Sequence, residues 1–415
     1  MKRALVFSGG GSRGAYECGA WQALEEMNIR IDAVYGTSIG AINAALVAQG
    51  DLNTALELWE NIRMDQIVSL EEGEELSVER MVHRKRDLIP FLMENAKNFL
   101  MDITPMENLM NRTIDEGRVR AGGLELGMMI TRVPSLAGCE MRLKDIPLGE
   151  LNDYILASAS CFPIFPLRQI GSELFMDGGY ADNMPIGMAL QDGADEIIAV
   201  DIHPQPVHPE YASMPFLTQI HPLHELGSFL DFSPAQLRRS RMMGYYDTLK
   251  AHARLDGIRY TFTRVGDLKT AGAARRYVQR LARFDAQCSD RGGDAVLIGA
   301  LAAETPLRRL SWKDCLLRGL ELCAQVMGFR EDAIYDLDVL TQRLLKYVRS
   351  QDDGEAPSDR GMAEAARLGN RALVAYLTNA MARDADFENR CARRMADYPL
   401  ETAAAMYLDC MGGSC

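Results

Sequence analysis

Short apolar runs and longer helical patterns take turns along the first two-thirds of the chain. Residues 4–7, 33–35 and 196–202 are near-continuous apolar stretches, which predict strands buried on both faces. The stretch from about 14 to 27 carries Tyr16, Trp21 and Leu24 and reads as a helix. An Ala-rich helix starts at Ala41, and helical spacing of Leu52, Leu56 and Trp59 carries it through 46–64. Residues 126–133 and 139–143 read as two strands joined by a turn through Pro134, Ser135 and Gly138. A helix at 151–159, a strand at 173–176, a helix through Ala189 and a strand at 260–265 complete the series. Strands alternating with helices predict an α/β fold, a three-layer, mostly parallel sheet flanked by helices.

Beyond 266 the strand signal fades. Residues 275–284, 311–326, 333–347, 361–379 and 387–406 show helical periodicity, punctuated by Gly292-Gly293 and the polar stretch 350–358. No fixed period marks a solenoid. Two domains are expected: an α/β domain at 1–265 and an all-helical region at 266–415 whose role and partners the residues do not indicate. Residues 71–87 are charge-rich and read as solvated surface. Residues 89–101 read as a core-packing helix, with a lid or interfacial helix as the alternative.

Composition narrows the function classes. The 415 residues carry a net charge of −13, which argues against nucleic acid and against electrostatic attachment to anionic lipid. Hydrophobic contact with a membrane surface stays open. The nine cysteines show no metal-ligand spacing. Cys410 and Cys415 bracket Met-Gly-Gly-Ser and read as free thiols in a frayed tail, with pairing to each other as the alternative. The first residues lack the apolar length of a signal peptide, and no run of about 18 apolar residues occurs. A cytoplasmic protein is expected, with peripheral membrane contact the furthest it goes toward lipid.

Chemistry concentrates at three strand ends. Gly36-Thr37-Ser38-Ile39-Gly40 lies between the strand at 33–35 and the Ala-rich helix. G-x-S-x-G in that context is a nucleophile elbow: the flanking glycines permit a turn tight enough to lift Ser38 Oγ clear of the sheet, near a helix N-terminus. The bland alternative is that Ser38 only caps the helix. Gly9, Gly10, Gly11, Arg13 and Gly14 follow the first strand. Gly9, Gly11 and Gly14 satisfy G-x-G-x-x-G, but a dinucleotide site wants an acid at the end of the second strand. Asp32 precedes that strand and the elbow occupies its end, so the glycines read as backbone donors for an oxyanion. Asp177, ahead of Gly178-Gly179, closes another strand and supplies a carboxylate with room for substrate, although Asp-Gly-Gly alone also fits a plain turn.

Taken together, the glycine loop, the elbow and Asp177-Gly178-Gly179 resemble the patatin-like phospholipases over about residues 1–265. Ala157-Ser158-Ala159, Phe162-Pro163, Phe165-Pro166, Asn183 and Pro185 add to the likeness. The resemblance implies a serine lipid acyl hydrolase of phospholipase A or lysophospholipase type, acting on a lipid or acyl-ester substrate. Ser38 would be the nucleophile of a Ser-Asp dyad and Asp177 its general base. Gly10, Gly11 and neighbouring N–H groups would hold the oxyanion, and Arg13 would position the loop or the substrate. No metal or cofactor is required. A short-chain esterase, thioesterase or acyltransferase would use the same residues, and a dinucleotide-binding protein or a non-catalytic scaffold are the rivals from other classes. His203, after the strand at 196–202, is the rival base: Ser38, Asp177 and His203 would give an α/β-hydrolase order.

Overall fold

The computed structural model describes residues 1–69, 101–290, 296–303, 310–352 and 354–413. The charged stretch at 71–87 and most of the helix expected at 89–101 lie outside the described residues. Two compact units form, Met1–Ala251 and His252–Cys415.

In the first unit, strands β1 (Arg3–Phe7), β2 (Ala33–Thr37), β3 (Glu125–Val133), β4 (Ala137–Arg142), β5 (Arg168–Ile170), β6 (Glu173–Asp177), β7 (Glu196–Val200) and β8 (Leu217–Ile220) make one sheet. Its order is β5-β6-β3-β2-β1-β7-β8, with β4 also paired to β3. The run β3-β2-β1-β7-β8 is parallel, and β4, β5 and β6 are added antiparallel. Side-chain alternation divides the core into two layers. Leu5 and Phe7 pack with Val34, Met128 and Ile198 on one face, under helices α1 (Gly14–Glu26), α2 (Ile39–Gln49) and α3 (Leu52–Asn61). Ala4 and Val6 pack with Ala33, Tyr35 and Ile197 on the other, under the helix Ile186–Gln191. The sheet is therefore covered on both sides, a mostly parallel three-layer α/β arrangement.

The helix expected to run through 46–64 breaks once. Gly50 adopts φ +69° as a left-handed C-cap of α2, and the Asp51 carboxylate then accepts the Thr54 N–H at 3.1 Å to start α3. Strands β5 and β8 were too short and too polar at one face to be expected from the pattern.

Register explains how the site assembles. On β3, Met129 pairs with Thr37 of β2, and the next residue, Ile130, pairs with Asp177 of β6. Residues 127–132 of β3 also pair with β4, so β4 takes one edge of β3 and both β2 and β6 take the other. Because β2 is parallel to β3 and β6 antiparallel, the C-terminal ends of β2 and β6 meet head to head on that edge. The elbow and the Asp-Gly-Gly turn are brought together by strand pairing, across well over a hundred residues of sequence.

The second unit is helical, as expected. Helices span Asp267–Asp290, Leu297–Ala302, Trp312–Met327, Leu337–Ser350, Asp359–Leu368, Asn370–Arg383, Phe387–Met395 and Pro399–Gly412. Two expected long helices are each two: Gly369, at φ +111°, divides 361–379, and Tyr398-Pro399 divides 387–406. The core holds Leu281, Phe284 and Leu320, with Tyr277 and Tyr407 edge to face at 5.5 Å. The strand expected at 260–265 does not join the large sheet. It is β9 (Thr261–Phe262), paired in parallel with β10 (Ile334–Tyr335) inside this unit, so the contacts divide the chain at 251 where the pattern suggested 265. Cys410 is disulfide-bonded and buried in the last helix, against the expectation of a free thiol there; Cys415 is outside the described residues. No helix among the described residues is long and apolar enough to cross a membrane.

Candidate active site

Ser38 is the one residue between β2 and α2, at φ +57° and ψ −125°. A non-glycine residue rarely takes this conformation, and its neighbours over-determine it. A Cβ on Gly36 would lie 2.1 Å from the Gly40 carbonyl oxygen, and one on Gly40 would lie 2.7 Å from that of Ser8. Only glycine fits either place. The Ser38 N–H donates to Ser158 Oγ at 3.0 Å, and that hydroxyl donates to the Met129 carbonyl at 2.7 Å. Ser158 is fully buried. It thus clamps the elbow backbone to β3, a role that no local pattern signals.

Ser38 Oγ donates to Asp177 Oδ2 at 2.6 Å. The other carboxylate oxygen accepts the Gly179 N–H at 2.7 Å. Asp177 is 5% exposed, and this burial is the main influence on its carboxyl, lifting it to about 6 against the lowering effect of the two hydrogen bonds. Gly178 is required here, since a Cβ on it would lie 2.1 Å from the Met129 carbonyl oxygen, whereas one on Gly179 would crowd only side-chain ends, Asn183 Oδ1 at 2.8 Å and Asp177 Oδ1 at 3.0 Å.

The glycine loop lies beside this pair, but its members differ. The Gly9 N–H donates to the Asn183 carbonyl at 3.1 Å, and Asn183 Nδ2 returns a bond to the Gly9 carbonyl at 3.2 Å. Gly9 is therefore committed to the protein and is not an oxyanion donor. The N–H groups of Gly10 and Gly11 bond to no other described residue, and both residues line the cavity. Gly14 is not in the cavity wall. A Cβ there would press on Ile39 and Trp59 at 2.5 and 2.9 Å, so it is a packing glycine. Its carbonyl accepts from Asn43 Nδ2 at 3.0 Å; Asn43 also donates to Glu17 and accepts from Trp59 Nε1. Arg13 directs its guanidinium at the Gly227 carbonyl. Asp32 accepts the Arg3 N–H at the start of β1, whereas the glycine loop follows the end of β1. Loop and acid are at opposite ends of the sheet, and the dinucleotide reading has no support.

His203 lines the same cavity. Its Nδ1 is 2.7 Å from Oδ1 of buried Asp201, which puts the ring proton on that nitrogen because a carboxylate only accepts. Asp201 Oδ2 takes the Val207 N–H at 2.7 Å. Nε2 faces Asn183 Nδ2 at 3.5 Å. The Ser38 hydroxyl is bonded to Asp177, and His203 is bonded elsewhere.

Ser38, Asp177 and His203 open on a cavity of about 430 Å³. Its polar end is Ser38, Asp177, Gly10, Gly11, Asn183 and His203. Most of the remaining wall is apolar, including Ile42, Trp59, Ile67, Met110, Ile164 and Phe165. Of the methionines among the described residues, only Met106 and Met110 line it, while Met128, Met184 and Met188 fill the core. A small polar end with a buried carboxylate, set against a hydrocarbon wall, suits attack on an ester with an apolar acyl group.

A family profile described as patatin-like phospholipase matches residues 5–190. The chain is 28% identical over 214 residues to patatin-like phospholipase domain-containing protein 6 of Mus musculus, covering 49% of this chain and 14% of that protein. It is 26% identical over 208 residues to lysophospholipase nte1 of Aspergillus terreus, covering 48% of this chain and 12% of that one. The chain thus spans a small fraction of the length of these relatives. Among solved structures it is similar to VipD from Legionella pneumophila, with 13% identity and a TM-score of 0.39 over 99% of this chain and 90% of that one.

Proposed function

We propose that this chain, whose residues 5–190 match the patatin-like phospholipase profile, is a hydrolase of carboxylic esters that cleaves fatty acyl esters of the phospholipid or lysophospholipid type through a Ser38–Asp177 dyad. The observation that carries the proposal is the 2.6 Å hydrogen bond from Ser38 Oγ to a buried carboxylate at the polar end of an apolar cavity.

The steps balance. Asp177 takes the proton from Ser38 Oγ as the oxygen attacks the ester carbonyl. The Gly10 and Gly11 N–H groups receive the oxyanion; one such donor is typically worth about 3 kcal/mol. Collapse expels the alcohol, which leaves with the proton from Asp177, and Ser38 holds the acyl group. Water, deprotonated by Asp177, repeats the sequence and releases the fatty acid. A carboxylate with a pKa near 6 is a better base than an ordinary aspartate and is still ionised at neutral pH. The name of the fungal relative supports a single-chain lipid as substrate, and the apolar wall supports an acyl chain.

The test is hydrolysis of a panel of phospholipids, lysophospholipids and simple acyl esters by wild type and Ser38→Ala, with products identified by mass spectrometry. Fatty acid release by wild type alone is expected. Equal product from both proteins would remove Ser38 as the nucleophile.

A further inference from the structure

Arg13 sits in the glycine loop, yet its side chain is spent on main chain far along the sequence. Nε and Nη2 both donate to the Gly227 carbonyl, at 3.0 and 2.9 Å. Ser12 adds its N–H to the Phe229 carbonyl at 2.8 Å and its Oγ to the Ser228 carbonyl at 3.0 Å. Gly11, at φ +59°, approaches so closely that a Cβ would lie 2.2 Å from the Phe229 carbonyl oxygen. Three consecutive loop residues therefore dock against three consecutive carbonyls at 227–229.

The docked segment is held at its ends as well. Gln236 Nε2, from the helix Pro234–Ala251, donates to the Leu226 carbonyl at 2.6 Å. Leu226 and Phe232 are buried in the main core. Between these anchors, Phe229 and Leu230 line the cavity. The segment has no helix or strand of its own from 221 to 233. What fixes the middle of it is the glycine loop, and the charged component of that fixing is Arg13.

We propose that Arg13 is a specificity-positioning residue: by holding 227–229 against the glycine loop it keeps Phe229 and Leu230 in the wall of the acyl cavity, so the preference for long over short acyl chains depends on it. The proposal rests on the ester-hydrolase reading above. The physical reason is that each methylene gains free energy only where apolar wall replaces water. A wall that swings away costs a long acyl chain many such contacts and a short one few.

The experiment compares kcat/KM on p-nitrophenyl butyrate, octanoate and palmitate for wild type, Arg13→Met, Phe229→Ala and Leu230→Ala. Lysophosphatidylcholine and a monoacylglycerol of equal chain length serve as a second pair. Arg13→Met and Leu230→Ala should each lower the palmitate-to-butyrate ratio by roughly ten-fold or more, the scale on which a hydrophobic pocket discriminates a single methylene. An equal loss on every ester in Arg13→Met would assign Arg13 to the oxyanion loop and overturn the proposal. A loss selective for the phosphate-bearing lipid would make Arg13 a head-group contact and overturn it too. If Arg13→Met does not fold, an unaltered ratio in both Phe229→Ala and Leu230→Ala overturns it. Wild type inactive on all these esters would remove the hydrolase reading itself, and the proposal with it.

Discussion

Two buried acids, Glu321 of the helical unit and Asp177 of the α/β unit, are used for opposite ends. In the helical unit Glu321 is fully buried and fully employed: Oε1 accepts the N–H groups of Ile258, Arg259 and Tyr260 at 2.7, 2.9 and 3.1 Å, and Oε2 faces Arg318 at 2.6 Å. Asp285 in the same unit accepts three consecutive N–H groups, from Val296, Leu297 and Ile298. These acids organise backbone and present nothing to a substrate. Asp177, in the α/β unit, receives one N–H and one hydroxyl and faces a cavity. On the proposed dyad, what sets Asp177 apart is burial with few donors at a cavity wall: burial raises its basicity, and the hydroxyl supplying one of its hydrogen bonds is the group it would deprotonate.

The sharpest way to break this comparison is to neutralise each acid. Asp177→Asn should lower ester hydrolysis by roughly 10³-fold or more, because an amide cannot take the serine proton. Glu321→Ala should leave Arg318, which is 2% exposed in its side chain, without its partner. Loss of one member of a buried pair costs about 3–5 kcal/mol, which thermal unfolding would register as a large fall. If the two variants exchange these phenotypes, the contrast between the units is wrong.

Stability gives a smaller but more diagnostic effect. The Asp177 carboxyl is lifted from the ordinary 3.8 to about 6 by burial. Between those values the folded protein binds more protons than the unfolded chain, so stability falls as pH rises through that window. At neutral pH the ionised side chain costs about 3 kcal/mol. Asp177→Asn should therefore raise the Tm at pH 7 by several degrees and raise it less at pH 4, as followed by calorimetry. A lower Tm at pH 7 would show that Asp177 is a structural acid like Glu321.

The smallest expected effect falls on His203. Its Nδ1 is held by Asp201 and its ring does not bond Ser38 Oγ. His203→Ala should retain hydrolysis within about ten-fold of wild type, a range typical of a residue that does not transfer the serine proton. A larger loss than in Asp177→Asn, read as kcat/KM on one ester, would transfer the role of base to the imidazole.

Much of the site was legible because its constraints are local. Gly36, Ser38 and Gly40 obey the spacing that a tight strand-to-helix turn imposes, and Asp177-Gly178-Gly179 marks a strand end, although its first glycine is there for close packing on the Met129 main chain. What the sequence left hidden depends on partners distant in the chain. Ser158 matters only because β3 presents Met129 beside it. Gly9 and Gly14 look like Gly10 and Gly11 in the motif, and only Asn183, Ile39 and Trp59 separate their roles. The segment at 221–233 has no periodicity, so its docking on Arg13 left no trace. The same holds for β9, whose apolar run resembled one more sheet strand until its pairing with β10 assigned it to the helical unit.

The central claim is that Asp177 deprotonates Ser38, and the rate of covalent labelling by a fluorophosphonate, followed by peptide mass spectrometry across pH, reads that step without a choice of lipid. The account predicts an adduct on Ser38 in wild type whose rate climbs as pH passes about 6, the same climb in His203→Ala, and no appreciable labelling in Asp177→Asn. Labelling that persists in Asp177→Asn but is lost in His203→Ala, or an adduct on a residue other than Ser38, would contradict it.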